Sequence, residues 1–193
     1  ISKSLILEKL KLIKNKFFVI SAHREENIDL GDNFLKLVET INCIADKYKL
    51  PIIFSTHPRT KNKINSSNTK FHPLVKNIEP LGFFDYVNLQ MNSCCVLSDS
   101  GTISEESSML SFPAISIRTS TERPEAIDAG SIVLGGIKVA NVMNSINTCI
   151  STYEKDITLP LEYKTKNVSK KVVRLIQSFT RIVDKEIWNK NEE

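Results

Sequence analysis

Several features that would place this chain in a common structural class are absent from its sequence. No run approaches the roughly 20 consecutive apolar residues that span a bilayer, and the opening stretch ISKSLILEKLKLIKNK has no small-residue cleavage site after its apolar positions. We therefore expect no membrane partner and a cytoplasmic location. Only 6 of the 193 residues are glycine, and 41% are hydrophobic. This balance excludes collagen-like and disordered chains and is sufficient for a sizeable buried core.

Short motifs that identify several enzyme classes are also missing. The sequence contains no G-x-S-x-G, no G-x-x-x-x-G-K-[ST] and no G-x-G-x-x-G. The α/β-hydrolase, P-loop NTPase and dinucleotide-binding interpretations therefore lose their usual support.

Metal and nucleic-acid sites find little support either. There is no C-x-x-C, and the four cysteines lie in apolar settings without a histidine at metal-ligand spacing, which favours buried, reduced thiols. A metal site built from His23, Glu25 and Glu26 is poorly supported, because the side chains of adjacent residues such as Glu25 and Glu26 point in different directions on a regular backbone. The net charge is +4, but the lysines are spread along the chain and form no single stripe. We expect no metal and no nucleic-acid partner.

Short apolar runs alternate with longer segments of helical period, which is typical of βαβ units around a parallel sheet. The predicted strands are 17–21, 51–56, 94–98, 114–118 and 131–135. The predicted helices are 32–49, 59–65, 83–92, 102–111, 122–129, 139–153 and 168–188. Right-handed crossovers would place these helices on both faces, giving an α/β fold with a doubly wound, Rossmann-like sheet.

Composition also predicts how the chain is divided. Residues 1–154 are expected to form the Rossmann-like domain, and the polar, proline-containing stretch 155–167 a connector. The helix within 168–193 is too apolar on one face to stand alone, so we expect it to pack on this domain or on one outside this sequence. The chain opens on Ile1 instead of methionine, as a piece of a longer protein would.

The unusual polar residues cluster directly after the predicted strands. They lie in AHREEN (22–27), THPRT (56–60), DSGTISEE (99–106) and TSTERPE (119–125). Ligands of open parallel sheets bind outside the carboxyl ends of the strands, where helix N-termini point into the crevice. The four loops together therefore predict the binding site.

The turn after the third predicted strand suits a phosphate. Gly101 lets backbone approach a ligand, while Ser100 and Thr102 offer hydroxyl donors beside the N–H groups of a starting helix. The alternative is that Ser100 or Thr102 only caps the helix, with Glu105 and Glu106 as capping-box and dipole partners. Both interpretations use the same N–H groups and stay open at this point.

Cationic side chains in the other loops have two interpretations as well. His23 could bind phosphate, act as an acid or base, or satisfy a loop carbonyl, and His57 lies with Arg59 at the next strand end. Arg118 and Arg123 flank TSTE, where a second cation would help to neutralise a diphosphate. A lone salt bridge is the alternative for either arginine.

Four segments together carry a family resemblance. SAHREENID (21–29), STHPRT (55–60), LSDSGTISEESSML (97–110) and RTSTERPEAIDAG (118–130), in this order and spacing, resemble the C-terminal half of the non-hydrolysing UDP-N-acetylglucosamine 2-epimerases. The similarity covers the chain from about residue 15.

This resemblance implies a fold and a reaction. The family resembles GT-B glycosyltransferases, in which two Rossmann-like domains face each other and the C-terminal one holds most of the UDP. Its members interconvert UDP-GlcNAc and UDP-ManNAc by eliminating UDP to leave a glycal and adding it back, an activity associated with polysaccharide biosynthesis. No cofactor is implied, the partner is a UDP-sugar, and the full-length protein is expected to be a homodimer. This chain alone is expected to be inactive without an N-terminal domain.

The resemblance also implies roles for particular residues. Ser100, Gly101 and Thr102 would hold the diphosphate, and Arg123 would neutralise its negative charge. Glu106 would bind the ribose hydroxyls, and Tyr86 would contact the uracil. His23 would be the catalytic residue that assists the departure of the diphosphate. Arg24 and Glu26 belong to the same loop, and His57 and Arg59 are further candidates. The carboxylates that move the proton at C2 would come from the N-terminal domain.

One departure from the family pattern bears on the substrate. The family loop reads DSGG, whereas Thr102 stands here in place of the second glycine. This variant, together with the C-terminal segment NVSKKVVRLIQSFTRIVDKEIW (167–188), resembles the branch acting on 6-deoxy sugars, the UDP-N-acetyl-L-fucosamine-forming 2-epimerases. The same residues are also compatible with a GT-B glycosyltransferase and with a non-enzymatic module that binds a nucleotide-sugar.

Overall fold

In the computed structural model, the described residues are 1–67, 69–153 and 159–190. They form a six-stranded parallel sheet in the order β3-β2-β1-β4-β5-β6. The strands are β1 (Phe18–Ser21), β2 (Ile52–Ser55), β3 (Val75–Ile78), β4 (Cys95–Ser98), β5 (Ala114–Ser116) and β6 (Val133–Leu134). The order reverses between β1 and β4, which is the position where open α/β sheets bind ligands. The doubly wound, Rossmann-like fold class is confirmed.

The connections between strands are helical. The helices are α1 (Ile6–Leu10), α2 (Glu25–Ile28), α3 (Asn33–Tyr48), α4 (Pro58–Ser66), α5 (Phe83–Asn92), α6 (Ile103–Leu110), α7 (Pro124–Asp128), α8 (Val139–Ser151) and α9 (Val168–Glu186), with a 3-10 turn at Leu161–Lys164.

The core explains why the strands are continuously apolar. Phe18, Val19 and Ile20 of β1 have no exposed surface, because the sheet is covered on both faces. On one face, Ile41 of α3 and Ile146 of α8 are also completely buried in the main apolar cluster. The three-and-four spacing that predicted α3 is therefore the spacing of its buried stripe.

Each strand and helix expected from the sequence is present, with ends that differ by a few residues. Strand β3 was missed because it is an edge strand whose residues are half-buried or exposed, so VKNI has no apolar run. The short helices α1 and α2 were missed because four or five residues are too few to establish a helical period.

The chain separates into two compact units, Ile1–Pro160 and Leu161–Glu193. The boundary predicted after residue 154 and the first part of the predicted connector fall on residues 154–158, which lie outside the described residues. In the second unit, α9 is a 19-residue helix with apolar residues at three-and-four spacing, including Val172, Ile176 and Phe179. Across the described ranges, no helix has both the length and the apolar character needed to cross a bilayer.

Candidate functional site

Three of the four loops predicted to form the binding site begin at the same height along the sheet. Ser21, Ser55 and Ser98, the last residues of β1, β2 and β4, are register partners. The chain leaves these strands toward His23, His57 and Asp99, and the imidazole rings of His23 and His57 are 5.8 Å apart between centroids. The parallel register thus brings three of the four polar loops together at the carboxyl edge.

The side chain of Asp99 joins two of these loops. Its carboxylate is fully buried, and Oδ2 accepts hydrogen bonds from the backbone N–H groups of His23 and Arg24, each at 2.9 Å, and from Nδ2 of Asn27 at 3.0 Å. Nδ1 of His23 lies 3.3 Å from the other oxygen, Oδ1. The loop after β1 is therefore fastened to the first residue of the DSGT turn.

The turn itself presents hydroxyl groups on its exposed side. The hydroxyls of Ser100 and Thr102 are hydrogen-bonded at 3.0 Å, and the Thr102 hydroxyl donates to Oε1 of Glu106 at 2.9 Å. Thr102 precedes α6 but makes no side-chain cap hydrogen bond. The interpretation of Thr102 as a side-chain cap is therefore wrong, because its hydroxyl is directed to Glu106 instead of the helix N–H groups.

Arg123 covers the turn from the side of α7. A Cβ built on Gly101 would lie 3.4 Å from both Cζ and Nη1 of Arg123, so the guanidinium packs against the glycine backbone. Nε of Arg123 donates to Oε1 of Glu105 at 2.7 Å, which fixes the side chain in this position. A cation and a helix N-terminus therefore converge at the same turn.

Behind the turn, polar side chains continue from α6 to α5. Nε2 of Gln90 donates to Oε2 of Glu106 at 2.7 Å, so both Glu106 oxygens have partners. Burial raises the pKa of Tyr86 to about 12, with smaller contributions from the Glu106 and Asp99 carboxylates, while the neighbouring Ser21 side chain acts to lower it. Tyr86 is thus a neutral phenol that connects α5 to the end of β1.

The second predicted cation, Arg118, belongs to a salt bridge. Its residue surface is 5% exposed, and it forms two 2.7 Å hydrogen bonds to the Glu122 carboxylate. This pairing lowers the pKa of Glu122 to about 2. Of the two interpretations of Arg118, the geometry favours the salt bridge, and Arg123 is the arginine that reaches the turn.

The remaining candidates have structural contacts of their own. Nδ1 of His57 accepts the Arg59 backbone N–H at 3.4 Å, capping α4, and Nε of Arg59 is 3.1 Å from Oδ2 of Asp29. The Glu26 carboxylate accepts a hydrogen bond from the Thr119 hydroxyl. Glu26 also lines a cavity of about 760 Å³, together with Arg118 and Thr119 after β5 and with residues 134–138 at the end of β6. In the described part of the chain, no cluster of histidine, cysteine and carboxylate side chains could hold a metal ion.

Sequence reasoning did not single out three residues of this network. Asp99 and Asn27 stand inside the motifs DSGT and HREEN, yet only their burial reveals that they join the two loops. Gln90 lies in the short helix predicted at 83–92, and its contact with Glu106 is revealed only by the structure, where α5 and α6 lie side by side.

Comparison with known proteins gives a consistent result. The family model described as UDP-N-acetylglucosamine 2-epimerase matches residues 1–177. A UDP-N-acetylglucosamine 2-epimerase of Methanococcus maripaludis is 37% identical over 147 residues, which are 74% of this chain and 40% of that protein.

Two solved structures have the same fold. The UDP-N-acetylglucosamine 2-epimerase of Rickettsia bellii is 36% identical with a TM-score of 0.79, covering 98% of this chain and 51% of that one. The Methanocaldococcus jannaschii UDP-GlcNAc 2-epimerase, solved in complex with UDP-GlcNAc and UDP, is 27% identical with a TM-score of 0.79, covering 92% of this chain and 49% of that one. This chain thus spans about half the length of these relatives, and it belongs to the UDP-N-acetylglucosamine 2-epimerase family.

Proposed function

We propose that this chain is the UDP-binding half of a UDP-N-acetylhexosamine 2-epimerase. The observation that carries the proposal is the convergence of the Ser100–Thr102 turn, the Arg123 guanidinium packed on Gly101, and His23 held on Asp99 at one edge of the sheet. Family membership and the UDP-GlcNAc and UDP bound to the Methanocaldococcus relative support it.

In this proposal the diphosphate lies in front of the turn. The hydroxyls of Ser100 and Thr102 and the first N–H groups of α6 donate to phosphate oxygens, and Arg123 supplies positive charge. Gly101 has the function of leaving room for both the ligand and the guanidinium. Since the Thr102 hydroxyl does not cap these N–H groups, they can donate to the diphosphate.

The nucleoside would extend toward α5. Glu106 accepts hydrogen bonds from the ribose hydroxyls, for which the Thr102 hydroxyl must release Oε1 or share it. Gln90, which is 1% exposed, holds the other Glu106 oxygen and keeps the carboxylate in place. The ring of Tyr86 contacts the uracil.

The chemistry follows from where charge develops. Removing the proton at C2 and breaking the C1–O bond gives a glycal and a UDP anion. A proton then returns to C2 on the opposite face and UDP adds back at C1, so the configuration at C2 is inverted. His23 and Arg123 stabilise the departing diphosphate, since cations act most strongly where negative charge appears. Arg24 and Glu26 position the His23 loop, while His57 and Arg59 line the neighbouring strand end.

The carboxylates that move the C2 proton are proposed to lie in the part of the protein that corresponds to the other half of the relatives. We also propose that the apolar stripe of α9 is covered by a folded domain, and that the full-length protein is a homodimer acting on UDP-sugars. The family resemblance and the half-length coverage of the relatives support the first and last of these assignments. The apolar spacing of α9 supports the second.

Isothermal titration of the chain with UDP tests the binding step. We expect saturable binding of UDP, and weaker binding of CDP, whose base presents a different hydrogen-bonding edge. A folded chain that shows no heat with millimolar UDP would contradict the proposal.

Turnover separates epimerisation from transfer. Incubation of a full-length protein containing this chain with UDP-GlcNAc alone should release a glycal or UDP-ManNAc, detected by NMR. A strict requirement for an acceptor would instead identify a glycosyltransferase. For these 193 residues alone we expect binding without turnover.

A further inference from the structure

We propose that Asp99 is a positioning residue that fixes the tautomer of His23. The inference rests on the proposed function for the role of His23, but its geometry does not depend on any ligand. The two oxygens of the Asp99 carboxylate have unequal surroundings.

All three hydrogen bonds to Asp99 from this loop arrive at Oδ2. They come from two backbone N–H groups and from the Asn27 amide, and Asn27 also donates to the Ile117 carbonyl at 3.1 Å. Oδ1 is buried and accepts no hydrogen bond from the described residues, while Nδ1 of His23 lies 3.3 Å away. A small rotation of the imidazole therefore completes a hydrogen bond to an oxygen that otherwise stays unsatisfied.

The chemistry of a carboxylate decides which His23 nitrogen carries the proton. An ionised carboxylate only accepts hydrogen bonds, so the ring nitrogen that faces it must be Nδ1–H. Nε2 is then left for a ligand, since the His23 side chain is 42% exposed and no described residue bonds Nε2. When both nitrogens are protonated, Asp99 balances the positive charge, and Nε2–H can donate to a phosphate oxygen.

An asparagine at this position would reverse the arrangement. The three donors around Oδ2 would hold the amide oxygen of Asp99→Asn, so its NH₂ group would face Nδ1 of His23. Nδ1 would then have to accept, and the proton of the neutral ring would move to Nε2. The variant keeps the shape and the loop contacts of the aspartate but loses its charge.

Nitrogen-15 NMR of the histidine rings at alkaline pH tests the inference without UDP. We expect His23, assigned by loss of its signal in His23→Gln, to be the Nδ1–H tautomer in the wild type and the Nε2–H tautomer in Asp99→Asn. Asn27→Ala loosens the same loop without changing the group that faces Nδ1, so its His23 tautomer should match the wild type. An Nε2–H tautomer in the wild type overturns the inference even if Asp99→Asn fails to fold, as does a changed tautomer in Asn27→Ala.

UDP affinity supplies the second measurement. Loss of a charge-assisted hydrogen bond predicts that Asp99→Asn binds UDP about tenfold to a hundredfold more weakly than the wild type. If Asp99 acts through His23, the same change in a His23→Gln background should have no further effect. An equal loss in both backgrounds would show a general structural role and refute the inference. Absence of UDP binding by the wild type would refute the proposed function, while the tautomers would still decide the role of Asp99.

Discussion

The guanidinium of Arg123 packs against the backbone of Gly101, so close that a Cβ at residue 101 would lie 3.4 Å from Cζ and Nη1. Two loops that are separated in the sequence thereby form one surface. A methyl group at position 101 would meet the guanidinium at ordinary van der Waals distance, whereas a larger side chain would displace it. The proposed diphosphate site should therefore be more sensitive to an isopropyl group than to a methyl group at this position.

Substitution of Gly101 should therefore reduce UDP binding more than stability. Gly101→Ala places a methyl group in close contact with Arg123, and Gly101→Val forces the guanidinium away. In the valine variant the charge-assisted contact between Arg123 and the diphosphate is lost, which should weaken UDP binding about tenfold or more. The effect in the alanine variant should be smaller. Titration calorimetry and thermal unfolding would measure the two properties.

Gly82→Ala is the matched control for this series. A Cβ at Gly82 meets no atom within 4 Å, and the residue lies at the beginning of α5 instead of at the turn. Its UDP affinity should equal that of the wild type. Wild-type affinity in Gly101→Val would show that Arg123 does not contact the diphosphate.

Thr102 should limit how well Glu106 binds a ribose. Both Glu106 oxygens already accept hydrogen bonds, from Thr102 at 2.9 Å and from Gln90 at 2.7 Å. Thr102→Gly frees Oε1, so the preference for UDP over 2′-deoxy-UDP should increase. It also removes a hydroxyl donor from the diphosphate, so UDP itself should bind about tenfold more weakly. Thr102→Ser keeps the hydroxyl and should resemble the wild type, whereas wild-type affinity for UDP in Thr102→Gly would show that Thr102 does not contact the diphosphate.

The Arg118–Glu122 pair should make stability depend on acid pH. Pairing with Arg118 lowers the pKa of Glu122 from 4.5 to about 2 in the folded protein. A carboxyl group with a depressed folded pKa stabilises the native state above its unfolded pKa, and this contribution is lost as the pH falls toward the folded value. Urea unfolding of the wild type and Glu122→Gln should therefore differ at neutral pH and converge between about pH 5 and pH 2.

Glu8→Gln is a suitable control, since Glu8 is in α1 and forms no salt bridge among the described residues. It should keep the acid sensitivity of the wild type. A constant difference between the wild type and Glu122→Gln down to pH 2 would mean that Glu122 is not paired in solution.

The sequence was informative where local patterns decide structure. Continuous apolar runs predicted β1 and β2, since both faces of these strands are buried, and the three-and-four spacing of α3 matches its buried face. The polar loops could be placed at one edge because parallel strands all end on the same side. Edge strand β3 could not be predicted, because exposure removes the apolar signal.

Contacts between distant residues were not accessible in this way. The sequence presents Arg118 and Arg123 as equivalent cations flanking one loop, and only the fold shows that Glu122 holds the first while the second reaches Gly101. The role of Asp99 depends on residues 72–76 positions away along the chain. No periodicity or spacing rule contains that information.

Tyr86 offers a test of where the base of UDP lies. Its hydroxyl contacts Ser21 inside the protein, whereas the proposed uracil contact needs only the ring. Tyr86→Phe should therefore retain UDP affinity, while Tyr86→Leu, which keeps much of the volume but has no ring, should bind UDP about tenfold more weakly, since stacking on a base is worth about 1–3 kcal/mol. Inorganic pyrophosphate makes no base contact, so its affinity should be the same in both variants. Equal losses for UDP and pyrophosphate in Tyr86→Leu would instead show that Tyr86 supports the turn through the end of β1, and the uracil would then have to be sought elsewhere along α5.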